Sequence, residues 1–144
     1  MENRISIKHV EPDAYRAMLS LENYLKASKI SNTHKHLIKI RASQINGCAF
    51  CINMHTKEAR QHGETEQRIY LLNAWRECDL FTDEEKALLA LTEEVTLIQH
   101  GVSDGTYRAA ARFFDEHYLA QIIMTIVTIN AWNRISVTSA TQPE

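Results

Sequence analysis

Glycine and proline are scarce in this chain: 144 residues carry four glycines and two prolines. A turn-rich all-β fold needs many more of both, so the composition argues against that class and for long helices. No run of Lys or Arg stands out, and the formal net charge is −2. That removes the electrostatic case for nucleic acid or an anionic membrane surface as a partner. The opening MENRISIKHVEPDAY lacks the apolar core of a signal peptide. The most apolar stretch, Leu119 to Val137, is interrupted by Gln121, Asn130, Asn133 and Arg134, so a membrane span is not expected. Repeats, low-complexity tracts and linkers are also missing. Only three cysteines are present, without an export signal, which suggests a reducing compartment and a cytoplasmic location.

The length suits one domain, residues 1–144, with a real hydrophobic core. The pattern predicts an all-α fold of about seven helices. Glu11-Pro12-Asp13 opens the first, since proline fits a first helical turn and an acid suits a helix N-terminus. Ser31-Asn32-Thr33 can cap the second, which ends at Asn46-Gly47. The third runs from Cys48 to Gly63, and a short fourth carries Ile69, Leu71, Leu72 and Trp75. Thr82-Asp83-Glu84-Glu85 is a T-x-x-E capping box for the fifth, closed by Gly101. Ser103-Asp104 can cap a sixth. The seventh spans about His117 to Val137. Its run IIMTIVTI is β-branched, but length and helical surroundings favour helix. Being apolar on most of its circumference, it must be buried centrally, against another subunit, or both. The tail from Thr138 is expected to be loose.

The chemistry concentrates in SQINGCAFCINMHTKEARQH, Ser43 to His62. Asn46-Gly47 is turn chemistry, and Cys48 and Cys51 follow at the start of a helix, three apart on one face. His55 lies one turn past Cys51 on that face. A helix N-terminus favours thiolate over thiol, and thiolate is the reactive and metal-binding form. A bridge between these cysteines encloses almost no chain, so it would stabilise the fold very little. Redox chemistry or metal binding are therefore the strong readings. An imidazole in reach of a thiol can take its proton and hold the thiolate as an ion pair. The helix dipole favours Cys48 as the more acidic thiol, whereas proximity to His55 favours Cys51. We side with Cys51, whose base is one turn away.

Other residues carry weaker signals. Cys78 has no partner nearby in sequence and reads as incidental. His34 and His36 form a T-H-K-H cluster, with solvated surface as the default for His34. His62, His100 and His117 sit near helix ends, and no function is assigned to them. Trp132 in NAWNR reads as core or interface packing, with Arg134 as a salt-bridge partner there. Cys48, Cys51, His55 and His36 make a possible Cys2His2 zinc set, although three of them would lie within eight residues of one helix. A catalytically degenerate oligomeric interaction protein is a further alternative.

The stretch SQINGCAFCINMHT resembles the signature of the AhpD-like alkylhydroperoxidase family, within the carboxymuconolactone decarboxylase superfamily. LTEEVTLI, FFDEHYLAQII and INAWNR are similar to the C-terminal half of short family members, so the resemblance covers about Leu37 to Ile135. It implies an all-α domain that assembles as a trimer or hexamer. It also implies an antioxidant thiol peroxidase (a peroxiredoxin-type oxidoreductase) acting on hydroperoxides, with no metal or organic cofactor. Cys51 matches the peroxidatic cysteine, Cys48 the resolving cysteine, and His55 the histidine of the proton relay. A lipoyl-bearing or thioredoxin-like dithiol protein would reset the disulfide. Two positions depart from the family pattern. The relay glutamate twelve residues before the first cysteine is His36, and the histidine before the second cysteine is Phe50. The acids that could replace the glutamate in space are Glu22 and Glu58.

Overall fold

The chain is described as a computed structural model over residues 2–144, and regular structure among them is all helical. The elements are α1 (Ile7–Val10), α2 (Pro12–Ala27), α3 (Asn32–Asn46), α4 (Ala49–Gln61), α5 (Glu66–Tyr70), α6 (Asp83–Thr96), α7 (Asp104–Phe113) and α8 (Glu116–Thr138). Two 3-10 segments, Leu72–Glu77 and Ile98–His100, complete the set.

The expected seven helices are thus too few. One added element is α1, a single turn with no buried residue, which leaves no apolar stripe to read. The others come from breaks. The fourth expected helix stops at Tyr70 and resumes as a 3-10 segment in which Leu72 and Trp75 are both buried. In 3-10 winding, residues three apart lie on one face, so this change turns both side chains into the core. The fifth ends at Thr96, short of Gly101, and a separate 3-10 turn closes it.

Helix starts follow the capping chemistry. Ser31, Thr65, Ser103 and Asp115 each accept a backbone N–H two or three residues into their helix. Thr82 and Glu85 form both bonds of the capping box. The β-branched run in α8 is helical. Its buried Thr125 and Thr128 hydroxyls donate to the carbonyls of Gln121 and Met124, each at 2.7 Å. Bonds to the carbonyl four residues back let these polar side chains sit inside a helical core.

Helix α3 lies in the middle, packed against α4, α6 and α8. Leu37, Ile38 and Ile40 of α3 meet Leu88, Leu89 and Leu91 of α6 and Ile122, Ile126 and Ile129 of α8. Each of these side chains is essentially removed from water. Burial of that kind contributes about 1.5–3 kcal/mol per side chain.

A buried polar network fixes the end of α3. Asn133 Nδ2 donates to Ser43 Oγ at 3.0 Å, and Asn46 Nδ2 donates to Asn133 Oδ1 and Asn130 Oδ1, both at 2.9 Å. Arg134 bonds the carbonyl and side chain of Asn130 instead of forming a salt bridge. Gly47 then turns into the left-handed region at φ 65°, and the Cys48 N–H donates back to the Ser43 carbonyl. That closure lets α4 start immediately, aimed by its packing against α3. The tail is tied down, contrary to expectation. Asn53 and Lys57 donate to the Glu144 oxygen at 3.0 and 2.9 Å, and Arg4 donates to the Thr138 carbonyl.

Candidate active site

Cys48 is the N-cap of α4, one position earlier than the sequence reading placed it in the helix. Its Sγ accepts the Cys51 N–H at 3.3 Å, in the way a cap oxygen would. Cys48 and Cys51 are joined as a disulfide, with Cα atoms 5.3 Å apart, inside the usual range for a bridge. Both are 1% exposed. Cys51 lines a cavity of about 730 Å³, and Cys48 is not among the lining residues. Of the two cysteines, Cys51 is the one that borders the cavity.

His55, one turn along α4, lines the same cavity and is 4% exposed. Its Nδ1 lies 2.9 Å from Glu58 Oε2, three residues further on. The hydrogen bond from His55 holds the Glu58 carboxyl below its ordinary pKa, so the carboxylate stays charged. A carboxylate only accepts, so His55 Nδ1 carries the hydrogen, and in the neutral ring this places the lone pair on Nε2. That is the tautomer of a base.

Glu58 is thus the acid on His55. Glu22 serves elsewhere, accepting from Trp132 Nε1 at 3.0 Å and from Lys39 Nζ at 3.4 Å. Trp132 packs edge-on against Tyr15 and forms part of the cavity wall as well as packing against the core. Phe50 is another wall residue.

His36 also reaches the cavity, and it brings a partner that sequence reasoning missed. Its Nε2 lies 2.6 Å from Nδ1 of His62, at the far end of α4, with the rings 4.9 Å apart. Both histidines line the main cavity and a smaller one of about 280 Å³ beside Arg68 and Glu85. His36 is 6% exposed, whereas His62 is open to solvent. Burial above all, then the neighbouring His62, lowers the pKa of His36 to about 4. It is a neutral ring at physiological pH. Its Nδ1 is buried with no hydrogen-bond partner among the described residues.

His34 stands apart from this group and is not simply solvated. It is half-buried, with Nδ1 2.6 Å from the Tyr118 hydroxyl and Nε2 3.4 Å from Glu84. Cys78 is a free cysteine away from the site. Among the described residues, no group of three or more His, Cys, Asp or Glu is arranged to hold a metal ion. The Cys2His2 set considered from sequence is not assembled: its sulfurs are bonded to each other, and His36 Nε2 is turned to His62. No helix among the described residues is long and apolar enough to cross a membrane.

A buried cysteine pair at a helix start, with a histidine one turn on, occurs here in a helical frame that known proteins share. The model of the carboxymuconolactone decarboxylase family matches residues 12–94. The chain belongs to that family. It is 49% identical over 138 residues to YdfG, an uncharacterized protein of Bacillus subtilis (strain 168), spanning 95% of this chain and 94% of that one. Its fold is similar to the crystal structure of a protein of unknown function from Agrobacterium tumefaciens, a candidate AhpD antioxidant-defence protein. The TM-score there is 0.96 at 40% identity, with 99% of each chain covered. The fold is also that of the AhpD core of an uncharacterized peroxidase-related protein from Ralstonia eutropha JMP134. That match has a TM-score of 0.83 at 19% identity, over 96% of this chain and 74% of that one. Within the family, this chain has the AhpD-like fold and carries its cysteine pair as a disulfide.

Proposed function

We propose that the protein is a thiol peroxidase that reduces hydroperoxides through a Cys48–Cys51 dithiol–disulfide cycle. One observation carries this reading. The bonded pair sits at the start of α4, with Cys51 and the Glu58-held His55 facing one cavity.

In the reduced protein, His55 Nε2 takes the Cys51 proton. The Cys51 thiolate, favoured by the start of α4, attacks the terminal oxygen of R–O–O–H. The S–O bond forms as the O–O bond breaks, and the alkoxide leaves with the proton held on His55 as the alcohol. Cys51 is then a sulfenic acid. The Cys48 sulfur attacks the Cys51 sulfur, the S–S bond forms, and hydroxide leaves with the Cys48 proton as water. Two electrons have passed from the thiol pair to the peroxide. A dithiol protein, lipoyl-bearing or thioredoxin-like, returns them by exchange, entering at Cys51, the cysteine that lines the cavity.

Glu58 keeps His55 in the basic tautomer. His36 and His62 take the place of the relay acid as a hydrogen-bonded pair that borders the cavity. They pass protons without holding a fixed charge. We place the active protein in a homo-oligomer, a trimer or hexamer. The exposed Phe113, Val127 and Val137 are consistent with further packing.

The test uses single cysteine variants. Cys51→Ser should abolish hydroperoxide consumption. Cys48→Ser should accumulate a sulfenic acid at Cys51 that a dimedone probe captures. Two variants that consume peroxide like the parent would exclude the cycle.

A further inference from the structure

The cavity at Cys51 differs in charge from the chain that builds it. The chain as a whole has more acids than bases, 18 against 16. Around the cavity the balance reverses: Arg4, Lys8, Lys26, Lys35 and Lys39 line it against only Glu22 and Glu58. Both carboxylates are already committed, Glu22 to Trp132 and Lys39, Glu58 to His55. Lys39 is matched by Glu22, Arg4 is bonded to the Thr138 carbonyl, and Lys8 lies over the Tyr15 ring. Lys26 and Lys35 have no hydrogen-bond or ion-pair partner among the described residues. Lys35 is half-buried; its burial, and the Lys39 ammonium one helical turn away, lower its pKa from the ordinary lysine value. An unpaired, partly desolvated ammonium beside a second one gains most from an incoming anion.

The rest of the wall is mostly apolar, with Ile5, Ile7, Leu19, Met54, Ile135 and the Trp132 ring outweighing a few polar residues such as Asn32 and Ser136. At about 730 Å³ the space takes a ligand of substantial length. Lys39 connects Lys35 electrostatically to the thiol site. It acts on His36 and Glu58 at that site and on Lys35 one turn of α3 away.

From the unpaired Lys35 and Lys26 and the apolar side chains that line one cavity with Cys51, we infer that the cavity binds a single-chain apolar carboxylate. The peroxides it presents to Cys51 are accordingly oxidised long-chain carboxylates. Lys35 holds the head group, and the chain lies along the apolar side chains of the cavity. The reactive group rests on the peroxidase reading above; the head-group and chain assignment rests on the cavity alone.

The experiment separates the two. Dodecanoate and its methyl ester are titrated into the full-length protein, read by Trp132 fluorescence with Trp132→Phe as the control. The acid should bind about tenfold more tightly than the ester, the difference a single charge-assisted contact makes. Added salt should shrink that gap. Lys35→Glu should remove the preference and leave ester binding unchanged. Equal affinity for acid and ester, or a preference that survives Lys35→Glu, overturns the inference. Dodecyl phosphate displacing the carboxylate with higher affinity overturns the carboxylate assignment. In turnover, a hydroperoxy fatty acid should exceed its ester in kcat/KM by a similar factor, while an uncharged small hydroperoxide should react equally with parent and Lys35→Glu. Carboxylate binding without any peroxide turnover would sink the peroxidase reading and the oxidised-substrate half of this one, and would leave the carboxylate site standing.

Discussion

Replacing His36 by leucine should change how stability depends on pH far more than stability at neutral pH. At pH 7 the ring is neutral, so the substitution exchanges two small effects. It removes the bond to His62, worth about 1 kcal/mol, and relieves a buried Nδ1 with no partner, a penalty of about 1–3 kcal/mol. His62 is exposed and regains water. The neutral-pH difference should therefore stay within about 1–2 kcal/mol of zero.

Acid changes the balance. The folded pKa of His36 is about 4 against an ordinary 6.5, so between those values the unfolded chain binds a proton that the folded chain refuses. Stability therefore falls as pH drops from about 6.5 towards 4 and is unaffected by this group above 6.5. At about 1.4 kcal/mol per pH unit, the full window is worth about 3 kcal/mol. The groups that face the ring are His55 and Glu58 of α4, His62 just past its end and Lys39 of α3, and all of them remain in the variant. Urea unfolding at fixed protein concentration, measured at several pH values from 7 to 4, gives the comparison. The parent should lose about 3 kcal/mol more than His36→Leu across the window. Parallel curves for the two proteins would refute the buried, neutral assignment of His36.

Three further outcomes follow from the geometry. Glu58→Gln should lower peroxide turnover about tenfold, because a charge-assisted hydrogen bond on His55 becomes a neutral one. His36→Glu, which restores the family acid, should gain less than about threefold, since Glu58 already holds His55; a large gain in single-turnover rate would show that Glu58 does not serve. Asn133→Leu should cost about 1–3 kcal/mol in urea unfolding, because it removes the Asn133 bonds to Ser43 Oγ and Asn46 Nδ2 and leaves them only their bonds to the Lys39 carbonyl and Asn130 where α3 hands over to the cysteine pair.

Local chemistry made much of this fold readable. The Thr82–Glu85 box, the Ser31 and Ser103 caps and the Gly47 turn are each written in adjacent residues, and each is present. The choice of helix for IIMTIVTI was right because Thr125 and Thr128 satisfy themselves within α8. The breaks at Leu71 and Leu97 were not readable, since they depend on which side chains the core takes. The same division holds at the site. The i,i+3 spacing of His55 and Glu58 was a visible signal, and Glu58 was one of two acids considered. The pairing of His36 with His62 spans 26 residues and exists only because α3 and α4 pack side by side. Trp132 read as packing because no sequence pattern separates a core indole from one that also walls a cavity.

The central claim is that Cys48 and Cys51 together deliver two electrons to a peroxide. Reduced protein, mixed without oxygen with one equivalent of an organic hydroperoxide, can be quenched with an alkylating agent and weighed by mass spectrometry. The cycle predicts one alcohol formed per Cys48–Cys51 disulfide, with Cys78 still alkylated. Peroxide left intact while Cys48 and Cys51 remain open to alkylation would contradict it.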